Sequence, residues 1–107
     1  MSKSYSLTAM FTEISKDNQR RIISELTNRE RSVIELCDSL NLNQPLVSKH
    51  LAALRKVNLV NSRKEGQKRL YRLNPTALKL VYDWIAPFEI FWDESLENIE
   101  ISLQTKK

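Results

Sequence analysis

Residues 43–73 restrict the fold more than any other part of this chain. Val47, Leu51 and Leu54 recur at helical spacing, and within a few residues the pattern changes period. Residues 59–63 and 68–73 read as two short strands. The turn between them, Lys64-Glu65-Gly66-Gln67, holds the only glycine of the chain. A tight hairpin needs a residue at positive φ, which glycine adopts without steric cost. A helix that feeds directly into a hairpin leaves few folds available.

The same stretch carries charge of one sign. Between Leu42 and Arg72 stand Lys49, Arg55, Lys56, Arg63, Lys64, Lys68, Arg69 and Arg72 against the single acid Glu65, a net +7. The whole chain carries only +4. Residues 1–41 balance to zero, and residues 83–107 carry six acids against Lys106 and Lys107. A helix and a hairpin tip sharing one positive field suit a nucleic-acid duplex, whose phosphates dominate affinity and whose base edges supply sequence choice. The acidic end is expected to point away from such a polyanion.

The flanking pattern is helical. One glycine and three prolines, Pro45, Pro75 and Pro87, imply short connections between helices. A first helix opens at Ser4 or Ser6 and carries Leu7, Met10, Phe11 and Ile14. Asp17 is expected to cap a second, which buries Ile22, Ile23 and Leu26. A third is expected over about 30–40, with Val33, Leu36, Cys37 and Leu40 on one stripe. Asn43 caps the fourth, Pro45 sits in its first turn, and Asn58 ends it in a left-handed conformation. After the hairpin, Asn74 caps a fifth helix with Leu78, Val81, Tyr82 and Ile85 on its apolar face, and Pro87 kinks or breaks it. Phe88, Trp92, Leu96, Ile99 and Leu103 then recur at spacings of 4, 4, 3 and 4, close to a heptad seam. A short chain cannot easily cover such a face with its own residues. A symmetric dimer is expected, held by this seam together with Leu7, Met10 and Phe11 of the first helix.

The fold read from this order is mainly α with a small β-hairpin. It runs helix-helix-helix-helix-strand-strand-helix, with a further helix to follow: a winged helix-turn-helix in one domain over 1–107. Helices three and four form the helix-turn-helix, the hairpin is the wing, and 75–107 supply terminal dimerisation helices. No apolar run is long enough to span a membrane, and no signal peptide is read at the start. A single cysteine, Cys37, cannot form an internal disulfide, so a cytoplasmic location is expected. One histidine, one cysteine and no glycine-rich loop leave no constellation for nucleophilic, metal or phosphate chemistry. No enzyme activity and no cofactor are expected.

The chain resembles the winged-helix repressors of the ArsR type over roughly residues 7–103. Asn18-Gln19-Arg20-Arg21-Ile22-Ile23-Ser24-Glu25-Leu26 is similar to the second helix of that family, and Glu35-Leu36-Cys37-Asp38-Ser39-Leu40 to its third. Asn43-Gln44-Pro45-Leu46-Val47-Ser48-Lys49-His50-Leu51-Ala52-Ala53-Leu54-Arg55 matches its recognition helix: a Gln-Pro start, then Ser, a basic residue, His and Leu. Residues 63–73 are similar to its wing. Asn58 departs from the glycine usual there. The resemblance implies a homodimeric DNA-binding transcriptional repressor, many of which release DNA when a metal or another signal binds. The metal sites of the family are where this chain departs. The Glu-Leu-Cys-x-Cys site on the third helix has Ser39 in its second cysteine position. The site on the terminal helices needs histidines, and the only His here is His50. No metal site is expected.

With the fourth helix (about 43–56) in the major groove, Gln44, Leu46, Ser48 and Lys49 are expected at base edges. Gln44 suits adenine and Lys49 suits guanine. His50 reads equally as a phosphate contact or a structural residue. Arg55 is expected at the backbone, and Arg63, Lys64, Lys68 and Arg69 of the wing (63–69) at phosphate or the minor groove. The partners expected are a double-stranded, roughly palindromic operator and a second copy of the chain, with no membrane. An inducer or partner protein of unknown identity is left open. The alternative reading is a winged-helix module for RNA or protein interaction without operator recognition. An RNA module would need exposed aromatics among the basic residues for base stacking, and Tyr71 is the only aromatic there. A purely protein-binding module is opposed only by the +7 field.

Overall fold

A computed structural model describes residues 4–88. The elements are α1 (Leu7–Ile14), α2 (Asp17–Glu25), β1 (Arg31–Ser32), α3 (Val33–Leu40), α4 (Gln44–Lys56), β2 (Val60–Glu65), β3 (Lys68–Leu73) and α5 (Pro75–Ile85), closed by a 3₁₀ turn over Ala86–Phe88. Helices α1 to α4 surround one core. Its centre is Met10, Ile22, Leu36, Val47, Leu51 and Leu54, all fully buried.

Side-chain caps set most of the helix starts. Ser6 Oγ accepts from Ala9 N at 3.1 Å at the head of α1. Asn43 Oδ1 accepts from Leu46 N at 2.9 Å at the head of α4, with proline in the first turn. Asn74 Oδ1 accepts from Thr76 N at 3.1 Å at the head of α5. Each satisfies a backbone donor that the helix itself cannot. Asp17 does not cap α2. Lys16 holds that position without a side-chain bond, and Asp17 is the first helical residue, where its charge complements the helix dipole.

The third helix starts at Val33, the first residue of its apolar stripe and later than the expected start near residue 30. Residues Arg31 and Ser32 form a short strand that pairs antiparallel with β3, Arg31 opposite Tyr71 and Ser32 opposite Leu70. The hairpin is therefore a three-stranded sheet in the order β1-β3-β2. Ser32 then caps α3 through a capping box: its hydroxyl accepts from Glu35 N at 3.2 Å, and the Glu35 carboxylate accepts from Ser32 N at 2.9 Å. Ser-x-x-Glu before an apolar run is the sequence sign of that box.

Asn58 takes the left-handed conformation (φ 67°) after α4. Its amide does what a glycine could not: Nδ2 donates to the Ser4 carbonyl at 2.8 Å. Its own carbonyl accepts from Asn74 Nδ2 at 2.9 Å. Gly66 turns the hairpin at φ 63°. The α5 helix passes into the 3₁₀ turn at Ala86, immediately before Pro87.

Among the expected dimer residues, Met10 is corrected. It is completely buried within its own subunit and has no surface to offer a partner. Leu7 and Phe11 are half-buried, and Phe88 is exposed. Trp92, Leu96, Ile99 and Leu103 lie outside the described residues. No helix among the described residues is long and apolar enough to cross a membrane.

Candidate nucleic-acid interface

Burial of Val47, Leu51 and Leu54 fixes which side of α4 faces outward. That side presents Gln44, Ser48, Lys49, Ala52, Arg55 and Lys56, all exposed, with Leu46 and His50 half-buried at its margins. In the wing, Lys64, Lys68 and Arg69 are exposed, and Arg69 donates to Ser62 Oγ at 3.1 Å. Gln44, Ser32, Ile34, Gln67, Lys68 and Arg69 border one shallow cleft, which brings the head of α4 together with the wing tip and the head of α3.

Charge pairing separates this face from the rest of the molecule. Outside residues 42–72, Lys16, Arg20, Arg29, Arg31 and Lys79 each pair with a carboxylate. Arg21 instead donates to Asn18 and to the Leu40 carbonyl. Inside 42–72, Arg63 alone is in an ion pair among the described residues. Its guanidinium grips Glu30 with two bonds of 2.9 and 2.8 Å. The hydrogen bond from Arg63 holds the Glu30 carboxyl below its ordinary value, and Glu30 raises Arg63 in turn. Arg63 thus fastens the wing to the segment before β1, and its fork is already occupied. Among the described residues Lys49, Arg55, Lys56, Lys64, Lys68, Arg69 and Arg72 form no ion pair, although Arg72 acts on Glu30 at longer range.

Ile34 was not legible as a surface residue. It lies off the stripe of α3, is 65% exposed, and stands at the cleft beside Gln44. The available signal was a large apolar side chain out of phase with its own helix.

His50 has its Nε2 3.4 Å from Asn18 Nδ2 on α2. Burial first, then the charges of Lys49 and Lys16, hold its pKa below the ordinary 6.5, and Glu13 opposes them.

Cys37 is free and packs half-buried against the core. Ser39, two residues on, donates its hydroxyl to the Glu25 carboxylate. Among the described residues no group of three or more His, Cys, Asp or Glu side chains could hold a metal ion.

A second, apolar surface lies on α1 and α5. Leu7, Thr8, Phe11 and Trp84 line an open groove. Phe11 meets Trp84 edge-on, with ring centroids 5.7 Å apart, and Trp84 leans on Phe88 at 5.3 Å. Tyr82, Trp84 and Phe88 remain exposed. Together they form an exposed apolar patch on this face.

The sequence profile described as "Bacterial regulatory protein, arsR family" matches residues 16–62, from α2 into the first wing strand. The transcriptional activator HlyU of Vibrio cholerae is 44% identical over 68 residues, which cover 62% of this chain and 63% of HlyU, so the chain spans just under two thirds of that relative. The HTH-type transcriptional regulator Rv2034 of Mycobacterium tuberculosis is 33% identical over 78 residues, covering 73% of this chain and 70% of that protein. The solution structure of a homodimeric winged helix-turn-helix DNA-binding domain from Mycobacterium bovis, described as a possible ArsR-family regulator, superposes with a TM-score of 0.68. It is 25% identical, over 86% of this chain and 82% of that one. With a helix-turn-helix followed by a wing, and the family match running from α2 into the first wing strand, this chain belongs to the ArsR family of bacterial regulatory proteins.

Proposed function

We propose that this chain is a homodimeric transcriptional regulator that binds a palindromic double-stranded operator and represses where that operator overlaps a promoter. The observation that carries this is the pairing contrast among the described residues: outside the α4–wing face every cation but Arg21 is ion-paired with a carboxylate, whereas on that face Arg63 alone is. Unpaired lysine and arginine side chains are free to replace counter-ions along phosphate. In this reading the head of α4 enters the major groove, with Gln44 toward adenine, Lys49 toward guanine, and Ser48 toward base edge or phosphate. Leu46 and Ile34 meet thymine methyl groups or sugar. Arg55, Lys64, Lys68 and Arg69 neutralise backbone. Two chains join through α1 and α5, using Leu7, Phe11, Trp84 and Phe88. Their two recognition helices then reach major grooves roughly 34 Å apart. The homodimeric Mycobacterium bovis domain supports that assembly.

Lys49→Ala and Lys68→Ala separate base readout from phosphate contact. Lys49→Ala is expected to weaken the operator complex by on the order of 1–3 kcal/mol and to relax preference at one base position per half-site. Lys68→Ala is expected to weaken operator and random duplex alike. Titrations against both duplexes across salt measure this. Equal losses from both variants on both duplexes would remove Lys49 from the base edges.

The RNA alternative lacks its stacking platform, and the charge of the α4–wing face opposes a purely protein-binding module. Tyr71, the single aromatic of residues 42–72, packs half-buried against the core. No enzyme activity is proposed. Nor is sensing through Cys37, which behaves as a small packing residue. Cys37→Ala is expected to cost about 1 kcal/mol in stability and to leave operator binding unchanged. Zinc, cadmium or arsenite in micromolar excess is expected to leave the wild-type complex intact. Release that disappears in Cys37→Ala would restore a thiol sensor.

A further inference from the structure

His50 stands in the middle of α4, and its surroundings fix which atom does what. The Asn18 amide facing it is not free to flip. Arg21 Nη1 donates to Asn18 Oδ1 at 3.1 Å, so the amide NH2 is the group turned toward His50 Nε2. Arg21 Nη2 donates to the Leu40 carbonyl at 2.8 Å, at the last residue of α3. One hydrogen-bonded relay therefore runs from the end of α3, through Arg21 and Asn18 on α2, to the centre of α4. It spans the two helices of the helix-turn-helix from behind.

We infer that His50 is a positioning residue for DNA recognition: a neutral imidazole acceptor that sets the seating of α4 against α3 through Asn18 and Arg21, rather than a phosphate contact. This rests on the operator reading above. An NH2 group needs an acceptor, and an imidazolium offers none, because both of its nitrogens carry protons. Protonating His50 would set N–H against N–H across the 3.4 Å gap. It would also add positive charge beside Lys49 on α4 and Lys16 before α2, with the Arg21 guanidinium further along the relay. Glu13 of α1 is the carboxylate that acts on His50 in the opposite sense, and it is already engaged by Lys16 at 3.0 Å and by Gln19 at 3.0 Å. The lowered pKa of His50 agrees with this geometry. The sign is definite. The relay's contribution is fully present above the ordinary value of 6.5, and it is lost as pH falls from there through the lowered folded value. A histidine bound to phosphate behaves oppositely: the anion favours its charged form, and binding tightens on acidification.

The chain has one histidine, so its imidazole can be read without ambiguity. Long-range proton–nitrogen correlation on the free wild-type protein is expected to show Nδ1 protonated and Nε2 bare. Operator affinity, followed between about pH 5.5 and 8, is expected to fall on acidification. His50→Gln keeps an acceptor that cannot titrate, so it should hold the pH 8 affinity within about threefold and lose the acid limb. His50→Arg keeps a cation but no acceptor, and it should lose on the order of tenfold at pH 8. Asn18→Ala removes the donor and should reproduce that loss with the imidazole intact. A protonated Nε2 in the free protein overturns the inference. So does tighter binding on acidification, or full affinity in His50→Arg. Should wild type prefer no duplex at pH 8, the operator reading fails instead, and the tautomer, measured without DNA, still decides the relay.

Discussion

Leu51→Ala is expected to destabilise the domain by about 2–5 kcal/mol, the range for emptying a leucine site in a packed core. Leu51 is fully buried at the middle of α4, and α4 packs against α1, α2, α3 and β2 together. The three helices packed on α4 also hold contacts with one another, which limits how far they can collapse into a cavity there. Small domains have only about 5–15 kcal/mol in total, so the loss is a large share. Thermal unfolding should register a fall in Tm of about 10 °C or more for a chain of this size. Leu46→Ala, half-buried on the same helix, is the control and should cost far less. A Leu51→Ala protein within about 1 kcal/mol of wild type would mean that the helices close over the gap, and that the core is looser than its burial indicates.

The double variant Phe11→Glu, Trp84→Glu is expected to be a folded monomer with little operator affinity. Phe11 is half-buried and Trp84 is 54% exposed, and their rings meet on the α1–α5 face. Carboxylates there cost little in a monomer. In a closed interface each would be buried without a partner, at several kcal/mol. Once separated, the two recognition helices no longer raise one another's effective concentration at paired half-sites. Operator affinity should then fall by about 10²–10⁴-fold. Sedimentation gives the assembly state, and far-ultraviolet circular dichroism tests the fold. A variant that remains dimeric would place the interface away from this face.

Local chemistry made much of this molecule readable in advance. Asn43, Ser6 and Asn74 announce helix starts because a cap is made within three residues of itself. Asn58 and Gly66 announce reversals because few residues tolerate positive φ. What escaped is non-local or too short to have a period. A two-residue strand such as β1 has no alternation to detect, and its existence depends on β3, some forty residues on. Met10 was placed on the wrong side because α1 is apolar on two faces, and spacing cannot tell which of them meets the subunit's own core. Arg63 counted as free charge in the sequence, yet Glu30, which occupies it, is 33 residues away. The face that α4 turns outward was legible for the opposite reason: its buried stripe is unbroken.

Ser32 has a mechanical consequence. The same residue pairs with Leu70 in the sheet and caps α3, so the base of the wing and the first helix of the helix-turn-helix share one anchor. Arg63 bolts the outer strand to Glu30 just beyond it. From Lys64 to Arg69 every residue is exposed. The wing is thus a cantilever: anchored to the body at its root and projecting free of it at its tip. Duplexes differ in groove width from one sequence to another. In the proposed complex, a tip that the body does not hold can follow those differences while the anchored root keeps the depth of α4 in the adjoining groove, so backbone adaptation and base reading need not compromise one another.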